Sequence, residues 1–368
     1  MTPAETASIS PTPSPAPPAG AGRGPCLAST AFPMTPAGPV TVAPIWVLMS
    51  GLATPDDILF HEGVLYVGEL GSGHIALVEA GRPDARLGVV VPRVEGLQYL
   101  GGRLYAADQQ NDRVDVVDGS VVTTFLQLTP VAGQDGVDGI GLAGDQLLIP
   151  DSANHQLLWV SASGAIQRRV GGFNRPTGAW ALGDGSVLVA DEYGNAVYRI
   201  APDGGRTALV TGLPIVDDVA ADSDGRVFVV TPVTSGGRLA EIVGGKAIDL
   251  VGNLLEPQGI DFDGAGNIFV SEAAAGRVDL VIRYFKIVPA GIARPAPGEP
   301  LCIDVIRAPS FQSSIELAGG PGVTIASQPG LGTRGSVVLG DCGQRYCRVR
   351  AMSGGRSDEL WIDTTPGG

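Results

Sequence analysis

The chain has 368 residues with a net charge of −14, 44% hydrophobic and only 5% aromatic. That charge excludes proteins that hold nucleic acid or an anionic membrane by basic surface. No apolar run approaches the length of about 18 residues that a membrane span needs. Gly 54 and Pro 29 make the chain turn-rich, short of low complexity, and the core must be built from Val, Ile, Leu and Ala.

Residues 1–44 carry eleven prolines and two charges, Glu5 and Arg23. Such a stretch cannot offset the entropy of ordering by burial, so it is expected to be a disordered Pro-rich tether or arm. Its first residues lack the basic-then-apolar pattern of a signal peptide. A tether of this kind commonly separates an export signal or anchor from a folded module. The expectation is an extracytoplasmic protein, secreted or at the cell surface or periplasmic, whose signal is not present in this chain.

From Ile45 the chain repeats. An apolar strand ends in a small residue plus an acid, a Gly/Asn-rich turn follows, then a second apolar strand. The copies begin at Val67, Ala106, Ile149, Val189, Val229 and Val270, in steps of 39, 43, 40, 40 and 41 residues. A period near forty with strand content predicts an all-β, six-bladed β-propeller over 45–288. Within each copy an innermost strand starts at Pro55-Asp56-Asp57, Val94-Glu95-Gly96, Val137-Asp138-Gly139, Pro176-Thr177-Gly178, Val216-Asp217-Asp218 and Pro257-Gln258-Gly259. Gly- and Asp-containing hairpins follow. The last copy lacks an outer strand, and Trp46–Leu52 resembles the outer strand of an earlier one. The N-terminal strand is therefore expected to close the ring and remove an open edge.

A Pro-rich linker is read at 289–299. Residues 300–368 show short apolar runs (Leu301–Ile306, Gly335–Leu339, Arg345–Arg350 and Glu359–Ile362) between turn residues. They predict a small C-terminal β-domain, sandwich-like, marginal alone and helped by a cross-link. Cys302, Cys342 and Cys347 lie there and Cys26 lies in the arm; four cysteines allow three pairings. An even count suits an oxidising compartment, and no spacing suggests zinc.

The texture Pro-x-Gly-Ile, then Asp-Gly-hydrophobic, then Val-Ala-Asp resembles the NHL-repeat family of six-bladed propellers. Pro257-Gln258-Gly259-Ile260 and Pro176-Thr177-Gly178 with Val189-Ala190-Asp191 carry that resemblance. A weaker likeness is to the regucalcin/gluconolactonase family, which implies a divalent metal held in the channel at innermost-strand starts. Val137-Asp138-Gly139-Ile140 looks like one of its segments and implies Asp138 as a ligand. Its Glu-x-Pro and Asn-Gly segments have no counterpart, although Asp56 and Thr177 stand near their places. The repeats are also similar to virginiamycin-lyase-like propellers, from which no residue is carried over.

One residue per repeat is expected to face the channel mouth: Asp56, Glu95, Asp138, Thr177, Asp217 and Gln258. Carboxylates about 6 Å apart repel by roughly 3 kcal/mol at an effective dielectric near 20. They must take up protons or recruit a cation. The candidate metal ligands are Asp56, Glu95, Asp138 and Asp217, and Ca²⁺ or another divalent ion would suit oxygen donors. Alternatively the acids accept strand-start amides or are hydrated. Asp57 and Asp218 are expected to point sideways and cap strands. The repeated acids Glu69, Asp108, Asp151, Asp191 and Glu272 are expected to accept turn amides. No nucleophile elbow or phosphate loop is present, and no organic cofactor is expected. Two functions stay open: a binding or scaffold module for a small ligand or protein at the propeller face, with no nucleic acid and no membrane insertion; or a metal-dependent, lactonase-like hydrolase.

Overall fold

The computed structural model describes residues 35–36, 45–79, 82–233, 236–289, 298–343 and 346–363. Among the described residues six antiparallel blades succeed one another, five of four strands and a sixth of four strands with the two-residue strand Thr35–Pro36 added at its edge. Blade 1 runs from Pro55–His61 out to Arg82–Arg86, and blade 2 from Val94–Leu100 to Val121–Gln127. Blade 3 spans Gly141–Ala143 to Ile166–Gly171, blade 4 Pro176–Ala181 to Arg206–Thr211, and blade 5 Val219–Ala221 to Lys246–Leu254. Blade 6 consists of Pro257–Phe262, Ile268–Glu272, Arg277–Val281 and the N-terminal strand Ile45–Ser50. The pairing of Ile45 with Val281 and Ser50 with Arg277 closes the ring. Of the tether expected over 1–44, only Thr35–Pro36 falls within the described residues, and its backbone pairs with Trp46 and Val47.

Burial follows strand position. The second strands Val187–Asp191, Val227–Thr231 and Ile268–Glu272 are buried at every residue. Each lies between neighbouring blades, which is why these runs are continuously apolar rather than alternating. The outer strand Ile166–Gly171 alternates half-buried and exposed. The core is therefore not one centre but a circle of clusters, each packing one blade on the next. Leu188, Val197 and Val210 of blade 4, for example, meet Val219 and Val229 of blade 5.

The chain leaves the propeller after Val281. Phe285–Pro289 pairs with Pro300–Arg307, so it is a strand of the C-terminal unit and not the end of the ring. That unit has a sheet of Phe285–Pro289, Pro300–Arg307, Arg334–Leu339 and Val323–Ser327 and a second of Glu316–Gly319, Tyr346–Ser353 and Arg356–Asp363. Phe285, Ile303, Val337, Val349 and Leu360 pack between them. Cys342 and Cys347 form a disulfide with Cα atoms 5.5 Å apart. Cys302 is also disulfide-bonded, and Cys26 lies outside the described residues. The unit docks on blades 5 and 6 by charge. Lys286 Nζ donates to Asp358 at 2.6 Å and Asp263 at 3.2 Å, Arg283 Nη1 donates to Asp222 at 2.9 Å, and Arg356 pairs with Asp224.

Candidate functional site

The channel is shaped by a ladder defect that recurs at the strand starts. Pro55 pairs with Glu69 and Ile58 with Val67, so Asp56 and Asp57 leave the ladder between them. The same break frees Glu95-Gly96, Thr177-Gly178 and Gln258-Gly259. In blade 3 an isolated Val137–Asp151 bridge precedes Gly141, leaving Asp138 in the equivalent gap. Bulges of this kind re-aim side chains. Proline is tolerated at 55, 176 and 257 because the first strand residue need not donate. The glycine two places after the strand start has a separate reason. A Cβ on Gly96 would lie 2.5 Å from the carbonyl oxygen of Asp138, and one on Gly259 would lie 2.9 Å from that of Asp56. Adjacent innermost strands converge too closely for a side chain.

In blades 1 and 5 an acid stands at that position, and it bonds to a backbone instead. Innermost strands expose unpaired amides to the channel, which need acceptors. Asp57 accepts Ile58 N at 2.8 Å and, from blade 2, Leu97 N at 2.9 Å. Asp218 accepts Val219 N at 2.7 Å and, from blade 6, Ile260 N at 3.0 Å. Asp261 of blade 6 accepts Phe262 N at 2.7 Å and, from blade 1, Phe60 N at 2.5 Å. Burial raises Asp218 to about 7 and Asp261 to about 7, more than these amides lower them. These acids line a cavity of about 40 Å³ with Gly139, Gly178 and Trp180. That leaves room for only a few water molecules, so the channel narrows at this level. The sideways, capping role expected of Asp57 and Asp218 is the one observed.

Outside the constriction the structure brings Asp56, Glu95, Asp138 and Asp217 together. Asp56, Glu95 and Asp138 are buried, and Asp217 is half-buried. Burial raises Asp56, Glu95 and Asp217 well above the carboxylate range, and the nearby Asp138 charge raises each further. Burial raises Asp138 as well, although Arg175 and a hydrogen bond with Glu95 oppose it. A carboxyl–carboxyl bond of that kind holds a proton. Thr177 is 1% exposed and its hydroxyl donates to the Asp217 carbonyl, so it does not face the mouth as expected. Gln258 is half-buried.

Two arginines that sequence reasoning passed over complete the mouth. Arg175 Nη2 donates to Asp138 Oδ2 at 2.7 Å, and its Nη1 donates to Glu192. Asp191 fixes the backbone there, accepting Asn174 N at 2.9 Å and Arg175 N at 2.8 Å. Arg93 donates through Nε to Gln109 Oε1 at 2.9 Å, and Gln109 in turn donates to Glu95. Both arginines immediately precede a strand start, where other repeats carry Thr54, Gly136, Ile215 and Glu256. Aligning the repeats one position earlier is the signal that would have found them. Exposed Val90, Tyr193, Ile215 and Leu255 lie in the loops on this side.

The following-turn role expected of the repeated acids holds only in part: Asp108 and Asp151 take donors from the turn that follows, whereas Glu69 and Glu272 take backbone amides from the loop 16 and 17 residues earlier. Glu69 takes Ala53 N at 2.9 Å, Asp108 takes Asn111 N at 3.1 Å, and Asp151 takes Asn154 Nδ2 at 2.8 Å. Glu272 takes Leu255 N at 2.5 Å. His155 Nδ1 is 2.6 Å from the Asn174 carbonyl, at the edge of the same turns.

Three of the carboxylate oxygens of the four mouth acids already accept hydrogen bonds. Arg175 engages Asp138 Oδ2, the Gly139 amide engages Asp138 Oδ1 at 3.2 Å, and Gln109 engages Glu95 Oε2. Calcium needs about six to eight oxygens. Among the described residues no group of three or more His, Cys, Asp or Glu is arranged to hold a metal.

No family model matches the chain, and no curated protein matches it. Solved structures do. A gluconolactonase from Xanthomonas campestris superposes with a TM-score of 0.55 at 13% identity, covering 70% of this chain and 98% of that one. A luciferin-regenerating enzyme gives 0.54 at 11% identity, covering 64% and 94%. Virginiamycin B lyase from Staphylococcus aureus gives 0.50 at 15%, covering 64% and 98%. At such identities the likeness is one of fold: the chain is a β-propeller that resembles those of the gluconolactonase and lyase structures.

Proposed function

We propose that this chain is an extracytoplasmic binding propeller whose channel mouth takes a small ligand, or a protein side chain, through a cationic group. One observation carries the reading. Asp56 is 8% exposed as a residue, and no described residue donates a hydrogen bond to its carboxyl, whose oxygens keep some surface open to the mouth. It stands within electrostatic reach of Asp138, Arg175, Asp218 and Arg93 from other blades. A buried acid without a partner is held neutral until a cation replaces its proton. The apolar side chains of Val90, Tyr193, Ile215 and Leu255 would cover the rest of such a ligand. The Cys342–Cys347 disulfide supports an oxidising compartment. No helix among the described residues is long and apolar enough to cross a membrane.

The competing reading is a divalent-metal hydrolase of lactones or similar esters on Asp56, Glu95, Asp138 and Asp217. It requires Arg175 to leave Asp138. Thermal melting with tetramethylammonium and cadaverine, and separately with Ca²⁺, Mn²⁺ and Zn²⁺, distinguishes the two. The binding reading expects the amines to raise Tm, an effect lost in Asp56→Asn. A shift with a metal alone, abolished by Asp138→Ala, would replace it with the metal reading.

A further inference from the structure

The six strand starts around the mouth are not equivalent. In the arc of blades 2 to 4 the side chains are already engaged. Glu95 accepts from Gln109, Asp138 accepts from Arg175 and from the Gly139 amide, and the Thr177 hydroxyl donates to the Asp217 carbonyl. In the arc of blades 5, 6 and 1 the side chains of Asp217, Gln258 and Asp56 take no hydrogen bond and no ion pair from the described residues. These three blades are contiguous: Ile260 N of blade 6 donates to Asp218 of blade 5, and Phe60 N of blade 1 donates to Asp261 of blade 6. Asp56 is 8% exposed, yet its carboxyl oxygens keep surface open to the mouth. An acid buried on every side but the mouth, with no donor, calls for one from outside.

The open arc therefore offers negative charge and oxygen acceptors. A ligand suited to it is cationic and brings N–H groups of its own. A quaternary ammonium brings none and is held instead by aromatic faces. Tyr193, the exposed aromatic of this face, already carries the Arg175 guanidinium 5.5 Å from its ring centroid. The exposed side chains that lead into the open arc are aliphatic. Ile215 stands two residues before Asp217 and Leu255 three before Gln258, and they are 41% and 44% exposed. Ile215 is held at a φ of 49°. That left-handed backbone disfavours a β-branched residue and suits Asn or Gly. Backbone preference alone would place Asn there, so the isoleucine side chain fits a contact role, against a carbon chain that leaves the mouth.

We propose that the open arc of blades 5, 6 and 1 selects an aliphatic primary amine, its ammonium donating to Asp56, Asp217 and Gln258 and its carbon chain lying on Ile215 and Leu255. This selectivity rests on the cationic reading of the mouth and narrows it to ions that carry N–H groups.

The test is a calorimetric titration of the full chain, near neutral pH, with methylammonium, butylammonium, hexylammonium and hexyltrimethylammonium. Hexylammonium should bind about tenfold or more tightly than hexyltrimethylammonium, which keeps the charge and the chain and has no N–H. Affinity should rise about two- to fourfold per methylene from methylammonium to hexylammonium. Asp217→Asn should weaken hexylammonium about tenfold and Gln258→Met about fivefold. Ile215→Asn, which the same backbone tolerates, should flatten the rise with chain length. If Asp217→Asn fails to fold, Gln258→Met and the comparison of the two hexyl ions decide. Binding of neither hexyl ion would remove the cationic reading and this selectivity together. Equal or tighter binding of the quaternary ion would leave that reading standing and overturn the selectivity for N–H. Unchanged hexylammonium affinity in the folded Asp217→Asn and Gln258→Met variants, or an undiminished chain-length dependence in Ile215→Asn, would overturn its placement on this arc.

Discussion

At the scale of single residues the channel is a study in acids that cannot afford their charge. Asp261 is buried, tied to Phe60 N and Phe262 N, and raised from 3.8 to about 7. The folded chain therefore binds a proton that the unfolded chain releases at lower pH. Stability from this group is present below about pH 4 and is lost as pH rises towards 7. Asp218 has the same sign over the same window. The melting temperature should consequently be higher near pH 5 than near pH 8, measured by scanning calorimetry in matched salt. Asp261→Asn should melt lower, by about 1–3 kcal/mol, because its amide NH₂ meets a backbone N–H. It should also show a smaller difference between the two pH values. A variant with the parent's full pH difference would remove Asp261 as its source.

At the scale of the blade, the repeat showed why glycine follows the strand start only once the neighbouring backbone was in view. Gly96 faces the Asp138 carbonyl and the Ile140 amide. Gly96→Ala should therefore destabilise by about 2–3 kcal/mol, the cost of overpacking against an atom that cannot rotate away. Gly183, whose Cβ would meet nothing within 4 Å, should accept alanine without loss. Equal melting of the two variants would show that the blades slide apart freely. Strand placement and the acids Asp56, Glu95, Asp138 and Asp217 were legible because period and chemistry coincide in the sequence. Arg93 and Arg175 were not, because their role depends on a side chain crossing from one blade's loop into another's acid. The strand Phe285–Pro289 was misplaced for a related reason. Its apolar run follows Arg277–Val281 with no break strong enough to mark a change of sheet. Glu316–Gly319 and Val323–Ser327 are short and weakly apolar, and their strand character comes from the sheets they join.

At the scale of the molecule, everything turns on a ring whose last blade is assembled from both ends of the propeller. Ile45–Ser50 contributes Ile45, Leu48 and Met49, all at least nine-tenths buried. Ile45 packs with blades 5 and 6, while Leu48 and Met49 pack where blade 6 meets blade 1. Burying three such side chains is worth roughly 5–8 kcal/mol. That is comparable with the roughly 5–15 kcal/mol by which domains are stable at all. Removing the strand would also bare the edge of Arg277–Val281 to solvent and to other chains. The C-terminal unit touches both sides of this seam, with Trp361 beside Gly63 of blade 1 and Ala308 in the cluster of Leu48 and Met49, but none of its described strands pairs with the edge of Arg277–Val281 that the lost strand would leave. A chain beginning at Gly51 should therefore lose the parent's cooperative calorimetric transition and associate in solution, as read by light scattering. If it instead melted in one transition at the parent's temperature, the ring would be held shut by contacts between blades alone, and the N-terminal strand would be a passive cover.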